Sequence, residues 1–167
     1  MPIPTDPLSA LAEGIVNLTK RIRALETRES TPLTVQAAAA SADLSLTAAN
    51  QDVAGATLNL SSGVYAVVGV FDFRTGNDDL DNGQTANGVL SINAVAQTGE
   101  AVMRLIRADA NANERVQACV TQTWSVTVPS GSTYVAKLQA RKSGGTGTSQ
   151  ALQTHTTITA MKLAVIG

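Results

Sequence analysis

The 167-residue chain has one cysteine, one histidine, one tryptophan and only 3% aromatic residues. Each shortage excludes something. A lone Cys119 rules out an intrachain disulfide framework and fits synthesis in a reducing cytosol. With no His or Lys near it in sequence, Cys119 reads as a small buried hydrophobe. A lone His155 rules out a metal centre built on several histidines. A Ser-His-Asp triad would have to use it, yet no Gly-x-Ser-x-Gly elbow accompanies it, so it reads as a surface or edge-strand residue. Charged residues make up 15% and the formal net charge is -1, which leaves no electrostatic footprint for nucleic acid or an anionic membrane. No apolar run approaches the roughly 18 residues of a membrane-inserted helix. Met1–Asp6 lacks the basic flank and apolar stretch of a secretory signal.

What is present begins with a heptad. Leu8, Leu11, Ile15, Leu18, Ile22 and Leu25 recur at alternating spacings of three and four, the seam of a coiled coil. With Leu8 at a, Arg21 falls at g and Glu26 at the following e, where charges of neighbouring chains meet. Ile at a with Leu at d favours two strands. Arg21, Ile22, Leu25 and Glu26, however, resemble the trimerisation motif of short parallel coiled coils, in which the arginine stem covers the seam and its guanidinium pairs with the next chain's glutamate. An amphipathic helix laid on its own domain would show the same periodicity. Asp6-Pro7 reads as an N-cap followed by proline at the first helical position, and Ser30-Thr31-Pro32 closes the helix. A rod from Pro7 to Arg28 would be roughly 33 Å long. A helix that short is marginal by itself, so a trimer needs a second contact downstream.

From Leu33 onward helical periodicity vanishes. Runs of Val, Thr, Ala and Leu between Gly, Asn and Ser predict strands at Leu33–Ala38, Leu44–Thr47, Thr57–Leu60, Val64–Phe73, Gly88–Ala94, Ala101–Arg107, Arg115–Val128, Tyr134–Arg141 and Thr156–Val165. Ser61–Gly63 and Val128–Ser132 read as turns. The expected fold is mainly β: an N-terminal α-helix forming a trimeric coiled coil (residues 1–32), then a jelly-roll β-sandwich (residues 33–167).

Val64–Phe73 is apolar on both faces, with Tyr65, Val67, Gly69, Phe71 and Phe73 on one and Val64, Ala66, Val68 and Val70 on the other. A sandwich strand needs one buried face, and a second implies a subunit interface. Tyr65, Val67, Phe71 and Phe73 are therefore expected at the trimer contact. The last strand also has two apolar faces, Ile158, Ala160, Ala164 and Ile166 against Met161, Leu163 and Val165.

The stretches Gly63–Val67, Gln51–Leu58, Thr121–Val128 and His155–Leu163 resemble the complement/tumour-necrosis-factor class of trimeric jelly rolls. With so few aromatics, they are more similar to the small jelly-roll modules that end many tailed-phage fibre and virion-surface proteins. That resemblance implies a non-enzymatic homotrimer of a virion, made in the host cytoplasm: a tail-fibre or receptor-binding subunit, or a capsid decoration protein or head fibre. Other virion proteins would hold residues 1–30, and a host-surface glycan or protein would be the outward partner. Neither nucleic acid nor membrane insertion is expected.

Little else points to chemistry. Asn77-Asp78-Asp79-Leu80-Asp81-Asn82-Gly83 superficially resembles a calcium loop, but its glycine is one place late and no glutamate stands at the twelfth position. It reads as a solvated loop tip, so Asn77, Asp78, Asp79, Asp81 and Asn82 are candidate receptor contacts, together with the Ser143–Gln150 loop. A polysaccharide-degrading spike would need paired carboxylates in a groove, and only scattered ones such as Asp72 with Glu100 or Asp109 are available. No catalytic, cofactor or metal residue is assigned.

Overall fold

A computed structural model divides the chain into two compact units, Met1–Leu33 and Thr34–Gly167. It describes residues 13–23, 33–75, 84–104, 116–144 and 147–164. In the first unit, residues 13–23 are α-helical and exposed throughout. Ile15, Leu18 and Ile22 are 57%, 57% and 46% exposed, so the apolar seam of the helix lies open. Arg21 is likewise exposed on this helix. Leu8, Leu11, Leu25 and Glu26 lie outside the described residues.

Among the described residues the second unit has eight strands: β1 (Val35–Ala39), β2 (Leu44–Ser45), β3 (Gln51–Thr75), β4 (Thr85–Ile92), β5 (Val95–Ala96), β6 (Ala101–Arg104), β7 (Gln117–Ser143) and β8 (Ser149–Ala164). All pair antiparallel, in the order β1-β8-β3-β7-β4-β5, with β2 on β8 and β6 on β4. The two long strands carry the architecture. β3 and β7 pair along nearly their whole length, but the register slips between Ser61 and Gly63. There β7 spends Pro129–Ser132 as an excursion, with Gly131 at φ 73°. Beyond that corner the same two strands serve different layers. The later half of β3 pairs with β8 (Val64 to Thr75), giving a layer β1-β8-β3-β7. The later half of β7 pairs with β4 (Ala136 to Ser143), giving the other. This mainly β, antiparallel sandwich is consistent with a jelly roll.

The layers meet over one core containing Tyr65, Val67, Phe71, Phe73, Trp124, Leu90, Leu138 and Ile158. Phe71 and Phe73 stack with ring centroids 5.5 Å apart. Packing across the layers is close: a Cβ added at Gly88 of β4 would lie 2.5 Å from the Phe71 ring. The polar tips of the buried aromatics find partners, Tyr65 with Ser61 (3.1 Å to its carbonyl) and Trp124 with the Gly99 carbonyl (3.0 Å).

Several expected boundaries change. Thr57–Leu60 and Val64–Phe73 are one strand, as are the runs predicted at 115–128 and 134–141; the predicted turns are corners within continuous strands rather than ends. β3 begins earlier, at Gln51, through a bulge in which residues 53–56 face a single residue of β7. Gly55 sits there at φ 84°, tucked so near the end of β1 that a Cβ would lie 2.6 Å from the Ala39 carbonyl. β4 stops at Ile92 because Asn93 (φ 48°) and Ala94 (φ 67°) form a tight turn into β5, a strand the sequence reading missed. The last strand starts at Ser149 rather than Thr156.

Candidate functional site

The largest correction concerns the expected β interface. Tyr65, Val67, Phe71 and Phe73 are at most 1% exposed within a single chain, because their face of β3 closes the sandwich core. They have no surface left to give a neighbour. The opposite face does. Val64, Ala66, Val68 and Val70 are half-buried, and the cross-strand register sets Thr127, Ser125, Thr123 and Thr121 of β7 beside them on one side. On the other side stand Ala164, Met161, Thr159 and Thr157 of β8, and beyond these Val35, Ala37 and Ala39 of β1. None of these residues is charged. Val35 is 54% exposed and Met161 39%. A register slip after Lys162 turns Ala164 onto this outer face and leaves Leu163 57% exposed.

The other layer presents a different surface. Lys137 and Arg141 alternate with the core residues Ala136, Leu138 and Ala140, so they point outward. Lys137 pairs with Asp52 at 2.7 Å and Arg141 with Glu100 at 2.7 Å. The Lys137 ammonium, then the Gln139 amide, hold the Asp52 carboxyl below its ordinary range. The Asn87 amide does the same for Glu100, reinforced by Arg141 against a partial burial that acts the other way. Carboxylates arranged this way are solvated ion pairs and do not form an acid/base couple. Glu100 and Asp72 have separate hydrogen-bond partners, and Asp109 lies outside the described residues, as do Asn77, Asp78, Asp79, Asp81 and Asn82.

At one end of the uncharged face the character changes. Asp72 follows Val70 on the same side of β3, yet it is fully buried. Gln117 Nε2 donates to both its oxygens, at 2.9 and 3.0 Å, and His155 Nδ1 lies 3.0 Å from Oδ2. Cys119 is the direct β7 partner of Asp72 and is exposed, contrary to the buried role expected for it. Partial burial against the sheet, then the neighbouring Asp72 carboxylate, push its thiol up. His155 arrives through an irregularity in β8. Between Thr157, opposite Val70, and Leu152, opposite Asp72, four residues of β8 face only Phe71. The bulge is pinned by the Asp72 N–H, which donates to Thr156 Oγ1 at 3.1 Å. It brings the imidazole, 63% exposed, against the carboxylate. Donor atoms of Asp72, Cys119 and His155 all lie within 4.8 Å of one another.

Sequence reasoning noted Cys119, His155 and Asp72 separately and did not join them. The available signal was the opposition of Asp72 and Cys119 once β3 and β7 are paired; the bulge that adds His155 has no local signature.

No family model matches the chain. No curated protein matches it either. Among solved structures it is similar to Eiger TNF from S. frugiperda, at 14% identity over 81% of this chain and 96% of that one, with a TM-score of 0.47. It is also similar to the infectious bursal disease virus VP2 subviral particle, at 13% identity over 83% of this chain and 39% of that one, TM-score 0.40. Dimeric latent PorU from Porphyromonas gingivalis follows at 14% identity, 78% and 12% coverage, TM-score 0.39. The fold described above rests on the strand pairing of this chain.

Proposed function

We propose that the protein is a non-enzymatic, homotrimeric structural component of a tailed-phage virion, a tail-fibre or receptor-binding subunit held to the particle by its N-terminal segment. The observation that carries self-association is the outer face of the β1-β8-β3-β7 layer. It is broad, carries no charge on four strands short of the end where Asp72 and His155 lie, and exposes Val35 and Met161, while the opposite layer carries its own ion pairs. A surface without charge offers no electrostatic specificity for a foreign partner and suits a copy of itself. The helix supports the same reading, since Ile15, Leu18 and Ile22 are exposed in one chain and the Arg21/Glu26 spacing suits a parallel trimer. The virion assignment draws on the resemblance of the β segments to phage fibre modules, and placement on the capsid as a decoration protein or head fibre is the same trimer at another address.

Sedimentation equilibrium at micromolar concentration tests the assembly: three times the 17.2 kDa chain mass is expected, and the mass of one chain overturns it. Labelled antibodies on intact particles, viewed by electron microscopy, then report tail or capsid, and their absence from particles removes the virion reading.

A further inference from the structure

We propose that Asp72, Cys119 and His155 form a binding site for a zinc-class divalent cation. Three observations converge on it. First, the three donors are a carboxylate oxygen, a sulfur and an imidazole nitrogen, all within 4.8 Å of one another. Thiolate and imidazole together select a borderline-soft ion, and Zn²⁺ accepts all three ligand types at about 2.0–2.3 Å. Ligands around such a tetrahedral ion stand about 3.3–3.8 Å apart. His155 Nδ1 and Asp72 Oδ2, at 3.0 Å, are already near that spacing, and exposed Cys119 needs a shift of about 1 Å to complete the set.

Second, Asp72 is a fully buried carboxylate that no lysine or arginine reaches among the contacts described. Taking an ionised carboxylate out of water costs several kcal/mol unless a positive charge meets it. Of the groups against it only His155 can carry positive charge, and only when protonated; a divalent ion would supply that charge with the imidazole neutral. Third, the carboxylate is oriented as metal-binding carboxylates are. Gln117 holds both oxygens, and the Asp72 backbone is tied to Thr156, in the bulge that delivers His155.

A nucleophilic reading of the same residues fails on order. A Cys-His-Asp relay needs the imidazole between thiol and carboxylate, whereas here Asp72 faces both Cys119 and His155. The ion would leave its fourth position on the exposed side, toward His155, open to water. The thiol gives up its proton on binding.

The test is titration of Co²⁺, a spectroscopic stand-in for Zn²⁺, into the untagged full-length protein. A thiolate-to-Co²⁺ charge-transfer band is expected, saturating at one ion per chain and bleached by Zn²⁺. Cys119→Ser should abolish the band, and His155→Ala should weaken Co²⁺ binding by at least about tenfold. Both side chains are exposed, so both variants should keep the wild-type far-ultraviolet circular dichroism. No thiolate band at saturating Co²⁺ overturns the site, as does unchanged binding in either variant. One ion per three chains also overturns it, because the metal would then be shared between copies. Since the ratio is read per chain, a monomeric protein that binds one ion fails the trimer reading and keeps this one.

Discussion

Gly88 shows how tightly one residue can be constrained by a neighbour in the facing layer. Its hydrogen looks directly onto the Phe71 ring, which stacks in turn on Phe73. Gly88→Ala should therefore destabilise the domain by about 1–3 kcal/mol through overpacking. Urea denaturation checks this, and an unchanged midpoint would show that Phe71 has room to yield. Glu100 gives a prediction with a pH sign. Its folded-state pKa lies below the ordinary value of 4.5, so its stabilising contribution is present above that value and is lost as the pH falls through the lower, folded one. Both Glu100 and Arg141 keep a third of their side chains in water, so the effect is small. In acid titrations followed by circular dichroism, Glu100→Gln should flatten the part of the decline that begins below pH 4.5. An identical acid limb would assign that decline to other carboxylates.

At the scale of elements, the proposed trimer has two candidate contact surfaces. The helix is short, and isolated helices of its length are marginal, so its seam is the weaker of the two. Ile22→Gln with Leu25→Gln should lower helical content while sedimentation still reports a trimer; a monomer would mean that the sheet face contributes little. The converse experiment is on β3. Ala66→Glu sets a carboxylate in the middle of the uncharged face, between Ser125 and Met161, where a subunit contact would desolvate it. Size-exclusion chromatography with light scattering should report dissociation. Persistence of the trimer would move the contact elsewhere.

For the whole molecule the proposed function divides the labour along the chain. A variant lacking residues 1–30 removes the helical unit and leaves the β unit from Thr34 with its core complete. It should remain folded and soluble yet fail to join particles, as measured by its presence in purified virions. Normal incorporation would place the attachment surface on the β-sandwich.

How much of this was written in the sequence varies with the range of the interaction involved. The helix at Ile15, Leu18 and Ile22, the β character from Val35 onward and the placement of all five aromatics in strands follow from local periodicity, which backbone geometry imposes on any chain; that those strands are two rather than three was decided by the corner in β7. Alternation in Val64–Phe73 revealed two apolar faces but could not rank them. Which one turned inward was decided by the corner at Ser61–Gly63, where β3 crosses between layers and commits Tyr65, Val67, Phe71 and Phe73 to the core. The gathering of Asp72, Cys119 and His155 was likewise invisible in the sequence. It depends on a pairing across 47 residues to Cys119 and on a four-residue bulge in β8, both products of long-range register, which no residue sets by its own preference.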